Sequence, residues 1–305
     1  MKIIFFGTPE FSAIILEALI NSNYPPVLVI TSADKPVGRK QTLTPPPVKV
    51  LAQRHKIKVL QPKNLEDIKQ DIDDINPDLI IVAAYGPPFL TKDILEYNCL
   101  NVHPSLLPKY RGASPIPYQI LNNEKETGVT IIVTSEKIDE GEIVAQEKRA
   151  ILPTDTAATL KEKLAGLGGN LLIKTIPLWV ANKIKPKPQG QSLTPYCKKL
   201  KKEDGKIDWQ KPADYIERQI RAFDPWPGTY ALFGGKILKI LKAYVMQEEI
   251  QTKPGFVFLT KDKKLAVQTG KGLLVIEILQ LEGKKPMLSQ EFLKGHQDII
   301  NTILE

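Results

Sequence analysis

The first 150 residues alternate short apolar runs with stretches of helical periodicity. The apolar runs cover residues 2–6, 26–31, 58–60, 79–83 and 99–102. After the first run, apolar side chains recur with the i, i+3, i+4, i+7, i+8 spacing of a helix that buries one stripe, at Phe11, Ile14, Ile15, Ala18 and Leu19. Continuously apolar strands separated by helices are typical of a parallel sheet covered on both faces. This alternation therefore predicts an α/β domain built on a parallel sheet.

Ligands of such open sheets bind beyond the carboxyl ends of the strands. Three segments fall at that edge, namely Gly7-Thr8, Ala84-Tyr85-Gly86 and Asn101-Val102-His103. The turn at Gly7 lacks the G-x-G-x-x-G spacing of a dinucleotide site, which leaves that interpretation weak. Thr8 is expected to cap the first helix, with Pro9 at its first position.

Residues 128–134 and 142–146 are predicted to be two more strands, joined by a turn at 137–141. A long helix is expected to follow, from about residue 156 to residue 182. The first domain is therefore expected to span residues 1–182. A chain of 305 residues is long for one compact core, so a second domain is expected as well.

The charge changes sharply after residue 182. Residues 1–182 carry 20 Lys+Arg and 20 Asp+Glu, so residues 183–305 carry the remaining 22 and 14 and the whole net charge of +8. Eight lysines, with several prolines and glycines, make residues 183–206 typical of a linker. A basic part of a chain indicates either a polyanionic partner or merely a lysine-rich, solvated surface.

Beyond the linker, residues 213–222 are predicted to be helical and several short strands follow. The strands are expected at 229–233, 237–245, 255–259, 264–268 and 272–280. Many short strands at this spacing are typical of a small closed or half-open β-barrel. Residues 207–305 are therefore expected to form a second, barrel-like domain of the OB type.

Several classes of protein are excluded by composition. The two cysteines, Cys99 and Cys197, cannot form a disulfide framework and indicate a reducing compartment. The amino end has too short an apolar run for a secretory signal, and no stretch of 18 uncharged apolar residues exists. Three histidines without a Cys/His cluster make a metal site unexpected. We therefore expect a cytoplasmic protein with no membrane segment and no metal.

The segment that follows the fifth apolar run carries residues suited to catalysis. Asn101 and His103 lie two residues apart at a strand end, so both side chains are expected on one side. Histidine exchanges protons near neutral pH, and an asparagine amide can donate to an oxyanion. Asp139, in the turn at 137–141, could orient that imidazole or stabilise its charge. The alternative is ordinary turn chemistry at both places.

The connection from Ser32 to Pro47 is unusually long for an α/β unit, which indicates a functional or flexible element. It holds Lys35, Arg39 and Lys40 against a single acid, Asp34. A basic finger of this kind suits phosphates, although a solvated loop has the same composition.

These segments together resemble the methionyl-tRNA formyltransferase family along essentially the whole chain. The matching stretches in the first domain are residues 6–11, 34–39, 47–49, 84–86, 101–112, 128–130 and 138–141. In the second part of the chain they are residues 206–209, 220–223, 225–228 and 283–287. The Asn-x-His and Asp set is shared by all formyltransferases that use 10-formyltetrahydrofolate and act on amines, whereas the later stretches point to the tRNA branch.

The resemblance implies a Rossmann-like formyltransferase domain followed by a small β-barrel domain. It also implies transfer of the formyl group of 10-formyltetrahydrofolate, as co-substrate, to the α-amino group of initiator Met-tRNA for translation initiation. Asn101 would bind the oxyanion, His103 would transfer the proton, and Asp139 would orient the imidazole and stabilise its charged form. No covalent intermediate is needed.

The resemblance also assigns ligand contacts. Folate would lie against Ser105, Leu106, Leu107 and Pro108 and near Tyr85 and Gly86. Where the family usually has a Leu-Pro step after Ala-Tyr-Gly, this chain has residues 87–90, Pro-Pro-Phe-Leu.

The basic loop is the part that the family inserts into the tRNA acceptor stem. Arg39 matches the family's key arginine, with Lys35 and Lys40 beside it. The usual Gly-Lys-Lys after that arginine is Lys40-Gln41-Thr42 here, which leaves one positive charge where the family has two.

Two other functions remain open from the residues alone. A formyltransferase acting on a nucleotide-sugar amine or on glycinamide ribonucleotide would share Asn101, His103 and Asp139 but would not require a basic carboxyl-terminal domain. A non-catalytic RNA-binding protein would explain the charge but not the three catalytic-type residues. No stable protein partner is implied, and a monomer is expected.

Overall fold

The structure is a computed structural model that describes residues 1–38, 41–86, 96–191, 194–248 and 252–305. The chain divides into two compact units. Unit 1 consists of Met1–Pro115, Lys125–Ala150 and Leu160–Cys197. Unit 2 consists of Ile116–Glu124, Ile151–Thr159 and Lys198–Glu305.

A seven-stranded sheet forms the core of unit 1. In chain order, the strands of this unit are β1 (Ile3–Gly7), β2 (Leu28–Ile30), β3 (Lys35–Val37), β4 (Thr42–Thr44), β5 (Lys58–Leu60), β6 (Leu79–Ala83), β7 (Cys99–His103), β8 (Glu126–Val133) and β9 (Ile143–Ala150). The order across the sheet is β5-β2-β1-β6-β7-β8-β9. The first five of these are mutually parallel, whereas β8 is antiparallel to β7 and β9 is antiparallel to β8. The predicted parallel sheet is confirmed. The structure adds that β8 and β9 extend it as an antiparallel edge.

The central strands are apolar because they are covered on both faces. Every residue of β1 and of β6 is buried. Among the described residues up to 180, the helices are α1 (Glu10–Ile20), α2 (Pro47–Arg54), α3 (Lys69–Ile75), α4 (Pro115–Leu121) and α5 (Ala157–Val180), with a short 3-10 turn at Leu65–Ile68. The expected first helix and the long helix are both present, whereas α2 and α3 were not anticipated.

The strand order reverses at β1, which lies between β2 and β6. The crevice at such a reversal is where open α/β sheets bind ligands. The capping role expected of Thr8 is wrong, because α1 begins at Glu10 with Pro9 as its N-cap and no side-chain cap. Instead, the Thr8 hydroxyl donates to the carbonyl oxygen of Tyr85 at 2.9 Å, which ties together the loops that follow β1 and β6.

The long connection after β2 contains a β-hairpin. β3 and β4 pair antiparallel, with Lys35 opposite Thr44 and Pro36 opposite Leu43. Proline is tolerated here because a two-stranded ribbon has an edge at which no amide donor is required. Arg39 and Lys40, which come between β3 and β4 in the sequence, lie outside the described residues.

Unit 2 is built around an antiparallel sheet. Its elements are α6 (Ala213–Ala222), β10 (Thr229–Phe233), β11 (Lys236–Met246), β12 (Val257–Leu259), β13 (Leu265–Gln268), β14 (Leu273–Leu281), β15 (Met287–Leu288) and α7 (Ser289–Leu293), with 3-10 turns at Lys202–Gly205 and Gln297–Ile299. The order is β10-β11-β14-β13-β12, with β15 on β14. Ile216 and Ile220 of α6 pack into the apolar core that the strands share. The sheet is the half-open form of the predicted barrel.

Within the described ranges, no helix combines the length and the apolar character needed to cross a membrane.

Candidate active site

The end of β7 brings His103 to the carboxyl edge of the unit 1 sheet. The imidazole is buried, with 5% of the residue exposed. Its Nε2 lies 2.9 Å from the carbonyl oxygen of Tyr110. Because a carbonyl oxygen can only accept, Nε2 carries a hydrogen atom and donates a hydrogen bond to the carbonyl oxygen of Tyr110. Nδ1 faces the opposite way, 3.5 Å from Oδ1 of Asp139, so it is the ring nitrogen available for proton exchange.

Asp139 occupies the turn between β8 and β9 with a φ of 55°, in the left-handed region. Its carboxylate is held by two donors. The amide N–H of Gly112 donates to Oδ2 at 2.8 Å, and Nδ2 of Asn101 donates to Oδ1 at 3.3 Å. Two of the side chains singled out in the sequence, Asn101 and His103, therefore converge on the third, the Asp139 carboxylate, with the Gly112 amide as an additional partner.

The four residues after Pro104 are fixed by the neighbouring strands. Thr130 of β8 donates through its hydroxyl to the carbonyl oxygen of Ser105 at 2.6 Å and accepts the amide of Leu107 at 3.1 Å. From β9, Nε2 of Gln146 donates to the carbonyl oxygen of Leu107 at 3.0 Å. Ser105 and Leu107 are buried by these contacts, whereas Leu106 and Pro108 are half-exposed and available to a ligand.

Tyr85 belongs to the core more than to the crevice. Its ring meets Phe6 edge to face, with centroids 5.3 Å apart, and burial raises the pKa of its hydroxyl. At Ala84-Tyr85-Gly86, a ligand can therefore reach the exposed Ala84 and Gly86 more readily than the Tyr85 ring. Residues 87–95, which include the unusual Pro-Pro-Phe-Leu step, lie outside the described part of the chain.

The base of the basic hairpin is clamped by one carboxylate. Lys49 of α2 donates to both oxygens of Asp34 at 2.8 Å, and Nε2 of Gln61 donates to Oδ1 at 2.7 Å. The hydrogen bond from Lys49 lowers the pKa of Asp34 most, followed by that from Gln61. Asp34 therefore stays ionised at neutral pH and fixes the chain directly before β3. The first residue of β3 is Lys35, whose side chain is exposed.

Both thiols of the chain are unsuited to nucleophilic catalysis. Burial raises the pKa of Cys99 and of Cys197 to about 12, and the charge of Asp139 adds to the shift at Cys197. Among the residues that the structure describes, no group of three His, Cys, Asp or Glu side chains could hold a metal ion.

Taken together, the site can do acid–base chemistry at a carbonyl. The arrangement offers a proton acceptor in His103, a carboxylate that stabilises the charged imidazole, and an amide with two donors in Asn101. The residues that sequence patterns missed act mainly through backbone atoms or as supports. They are Tyr110, Gly112, Thr130 and Gln146.

Comparison with known proteins agrees with this chemistry. The chain matches the family described as Formyl transferase over residues 1–176 and the family described as Formyl transferase, C-terminal domain, over residues 199–297. It is 40% identical over 309 residues to the methionyl-tRNA formyltransferase of Syntrophus aciditrophicus, covering 100% of this chain and 99% of that protein. The corresponding protein of Caldanaerobacter subterraneus subsp. tengcongensis is 42% identical over 311 residues, with 100% of both chains covered.

Solved structures with less similar sequences share the fold. WlaRD, a sugar 3N-formyl transferase solved in the presence of dTDP and 5-N-formyl-THF, aligns with a TM-score of 0.66 at 23% identity over 93% of this chain and 99% of its own. HypX from Aquifex aeolicus, in complex with tetrahydrofolic acid, aligns with a TM-score of 0.64 at 20% identity, over 97% of this chain and 47% of its own.

Proposed function

Because this chain belongs to the methionyl-tRNA formyltransferase family, we propose that it transfers the formyl group of 10-formyltetrahydrofolate to the α-amino group of methionine on initiator tRNA. The observation that carries the proposal is the convergence of Asn101 and His103 on Asp139, in a chain that its relatives match from end to end. The product would serve translation initiation, which places the enzyme in the cytoplasm.

The chemistry asks for one proton acceptor near the amine. An α-amino group has a pKa of about 8, so a fraction is neutral at physiological pH and can attack the formyl carbon. As the new C–N bond forms, the nitrogen loses a proton, and the bond from the formyl carbon to N10 of the folate then breaks. Nδ1 of His103 takes the proton that the amine loses, and the imidazolium then gives a proton to N10 as the bond from N10 to the formyl carbon breaks, so the imidazole ends neutral. Asp139, 3.5 Å from Nδ1, stabilises the imidazolium in between.

Asn101 is suited to the oxyanion of the tetrahedral intermediate. One N–H of its amide donates to Asp139 at 3.3 Å. The amide carries two N–H groups, so the second can donate to the oxygen that becomes negative as the amine attacks. Asn101 and His103 lie on the same side of β7, which allows both groups to act on one substrate carbonyl.

Folate would bind beside this cluster, against residues 105–108. Leu106 and Pro108 would supply the apolar contact, since Ser105 and Leu107 are buried in the protein. The hydrogen bonds from Thr130 and Gln146 would keep residues 105–108 rigid. Gly86, at the end of the loop that Thr8 anchors, would form the opposite side of the slot.

One assay separates this function from its rivals. Purified protein is supplied with 10-formyltetrahydrofolate and offered initiator Met-tRNA, a nucleotide-sugar amine or glycinamide ribonucleotide. Formylation of Met-tRNA alone supports the proposal, whereas preference for a small amine contradicts it. The absence of transfer to every amine would favour a binding protein without catalysis. Full-length similarity and the match of residues 199–297 to a formyltransferase C-terminal domain favour the tRNA substrate.

The hairpin supplies a first test of tRNA recognition. We expect Arg39→Ala to raise the KM for Met-tRNA about 10-fold or more, since a guanidinium–phosphate hydrogen bond contributes roughly 1.5–3 kcal/mol. The KM for 10-formyltetrahydrofolate should stay within about twofold, because the folate lies beside β7. Steady-state kinetics with each substrate varied in turn measures both values.

Arg54→Ala is the matched control, because Arg54 is an exposed arginine at the end of α2. Equal increases of the two KM values in Arg39→Ala, or an equal effect of Arg54→Ala on the tRNA, would remove the hairpin from tRNA recognition.

Lysines at the start of the long segment of unit 2 supply a second test. Replacing three exposed lysines by alanine should lower the slope of log affinity for tRNA against log salt by about 2 to 3, since each phosphate contact releases about one counterion. The three are Lys198, Lys199 and Lys202. Filter binding at several salt concentrations measures the slope.

A second triple variant controls for net charge, at the exposed positions Lys56, Lys63 and Lys174. If both variants change the slope equally, the effect reports total charge and not contact between the linker and the tRNA backbone.

A further inference from the structure

The Gln189 side chain crosses the turn that holds Asp139. Its Nε2 donates to the carbonyl oxygen of Asp139 at 2.8 Å and to that of Gly141 at 2.7 Å. Its Oε1 accepts from Nε and Nη2 of Arg111 at 3.1 Å and 2.8 Å. The two carbonyls can only accept and the guanidinium can only donate, so the orientation of this amide is determined by its partners. All of its hydrogen-bonding capacity is directed to residues next to the site.

The same stretch of chain also holds the other side of the Asp139 carboxylate. The carbonyl oxygen of Cys197 accepts the amide of Ala113 at 2.8 Å, and the amide of Cys197 donates to the carbonyl oxygen of Arg111 at 2.7 Å. Gly112 lies between these two contacts and donates to Oδ2 of Asp139 at 2.8 Å. A Cβ on Gly112 would come 2.6 Å from the Cys197 carbonyl oxygen, so glycine is required for this close approach.

Two more contacts fix the segment to the turn. The backbone of Lys187 pairs with Ile143 at the start of β9, with N–O distances of 2.9 and 2.7 Å. The Tyr196 hydroxyl donates to Oε1 of Glu140, and this hydrogen bond lowers the pKa of the Glu140 carboxyl. Lys187, Gln189 and Tyr196 therefore contact the Asp139 turn at its backbone, at its neighbouring acid and at the strand that follows.

The turn needs this support because its conformation is unfavourable by itself. A non-glycine residue with a φ of 55° costs of order 1 kcal/mol, so Asp139 keeps that conformation only when surrounding contacts determine it. The hydrogen bonds from Gln189 fall on both sides of Asp139 along the turn, at its own carbonyl and at that of Gly141.

We propose that Gln189 is a positioning residue for formyl transfer: its amide sets the backbone of the Asp139 turn so that the carboxylate meets His103 and Asn101. The inference rests on the proposed function. It assigns a role to a residue in a stretch whose composition is that of a linker, and it makes the contacts of Gln189, Tyr196 and Cys197 a structural part of the catalytic centre in unit 1.

The test compares Gln189→Ala and Gln189→Glu with the wild type. Alanine removes the side-chain amide altogether. Glutamate keeps an acceptor for Arg111 but places an oxygen against the carbonyl oxygens of Asp139 and Gly141, so both variants lose the two N–H donors. We expect each variant to lower kcat about 10- to 100-fold, because a small misplacement of a catalytic group slows the chemical step by this much. The KM for Met-tRNA should stay within about twofold of the wild-type value. Gln191→Ala, an exposed glutamine two residues later, is the matched control and should retain wild-type kcat.

A double-mutant cycle distinguishes positioning from a general structural role. In the Asp139→Asn background, single-turnover rates with enzyme in excess should fall less than about twofold when Gln189→Ala is added, because its target is already gone. A further tenfold loss in that background, wild-type kcat in Gln189→Glu, or an equal loss in Gln191→Ala would each overturn the proposal. Wild-type turnover with Met-tRNA, measured in parallel, tests the proposed function separately.

Discussion

Formyl transfer to Met-tRNA is expected to fall about 10²- to 10⁴-fold in turnover when His103 becomes alanine or Asp139 becomes asparagine. The first change removes the proton acceptor. The second removes the negative charge 3.5 Å from Nδ1 while keeping the size of the side chain. The KM for Met-tRNA should change little, since neither residue is proposed to hold the tRNA. Steady-state formylation at saturating folate measures the effect.

His55→Ala is the control for the first variant, because His55 is an exposed histidine at the end of α2 with no role in the proposed mechanism. The variant that combines both changes should be about as slow as the slower single variant, because His103 and Asp139 act as one unit. Turnover within a few-fold of wild type in either single variant would show that the assignment is wrong. Multiplicative losses in the combined variant would show that the two groups act independently.

Tyr110 explains why the imidazole needs little help from Asp139 to keep its orientation. The hydrogen bond from Nε2 to the Tyr110 carbonyl is 2.9 Å long, whereas Asp139 lies 3.5 Å from Nδ1. We therefore expect the backbone carbonyl to fix the ring and its tautomer, and the carboxylate to act mainly through its charge. The sequence pattern assigns both tasks to Asp139, because a backbone acceptor leaves no signature in the choice of residue.

The fold was predictable wherever apolar periodicity was strong. The runs that became β1 and β6 are buried on both faces and apolar throughout, and the limits expected for α6 and β10 agree with the structure. By contrast, α3 buries only Ile72, so its sequence of mostly polar residues carries almost no periodicity. α2 begins directly at Pro47, the last of three prolines, which indicate a loop in the sequence but suit a first helical turn.

The candidate site was predictable where single side chains carry the chemistry. Asn101 and His103 follow from their spacing at a strand end, and Asp139 follows from its turn and from the family resemblance. The contacts of Lys187, Gln189 and Tyr196, in the stretch after α5, with the Asp139 turn were beyond prediction, because they are tertiary and largely involve backbone atoms. Composition reports that this stretch is rich in lysine and proline, but it does not report where the chain lies.

Gly141→Ala is expected to reduce turnover about 100-fold or more, through displacement of the same turn. A Cβ on Gly141 would lie 1.6 Å from the carbonyl oxygen of Val133 and 2.8 Å from its carbonyl carbon. Both atoms belong to the backbone of β8, so no side chain can rotate away and the turn itself has to move. Asp139 lies two residues before Gly141, and a shift of about 1 Å at a catalytic group is enough for a loss of this size.

Gly190→Ala is the matched control, because a Cβ at Gly190 meets nothing within 4 Å. It should retain wild-type turnover although it lies directly beside Gln189. Forcing a methyl group into a packed position costs typically 1–3 kcal/mol, so Gly141→Ala should also unfold at lower urea concentration than Gly190→Ala in far-UV circular dichroism. If Gly141→Ala stays folded and keeps turnover within about twofold, the close approach to Val133 does not set the position of the carboxylate. If it stays folded and loses turnover, the backbone of the turn is as necessary to catalysis as the side chain of Asp139.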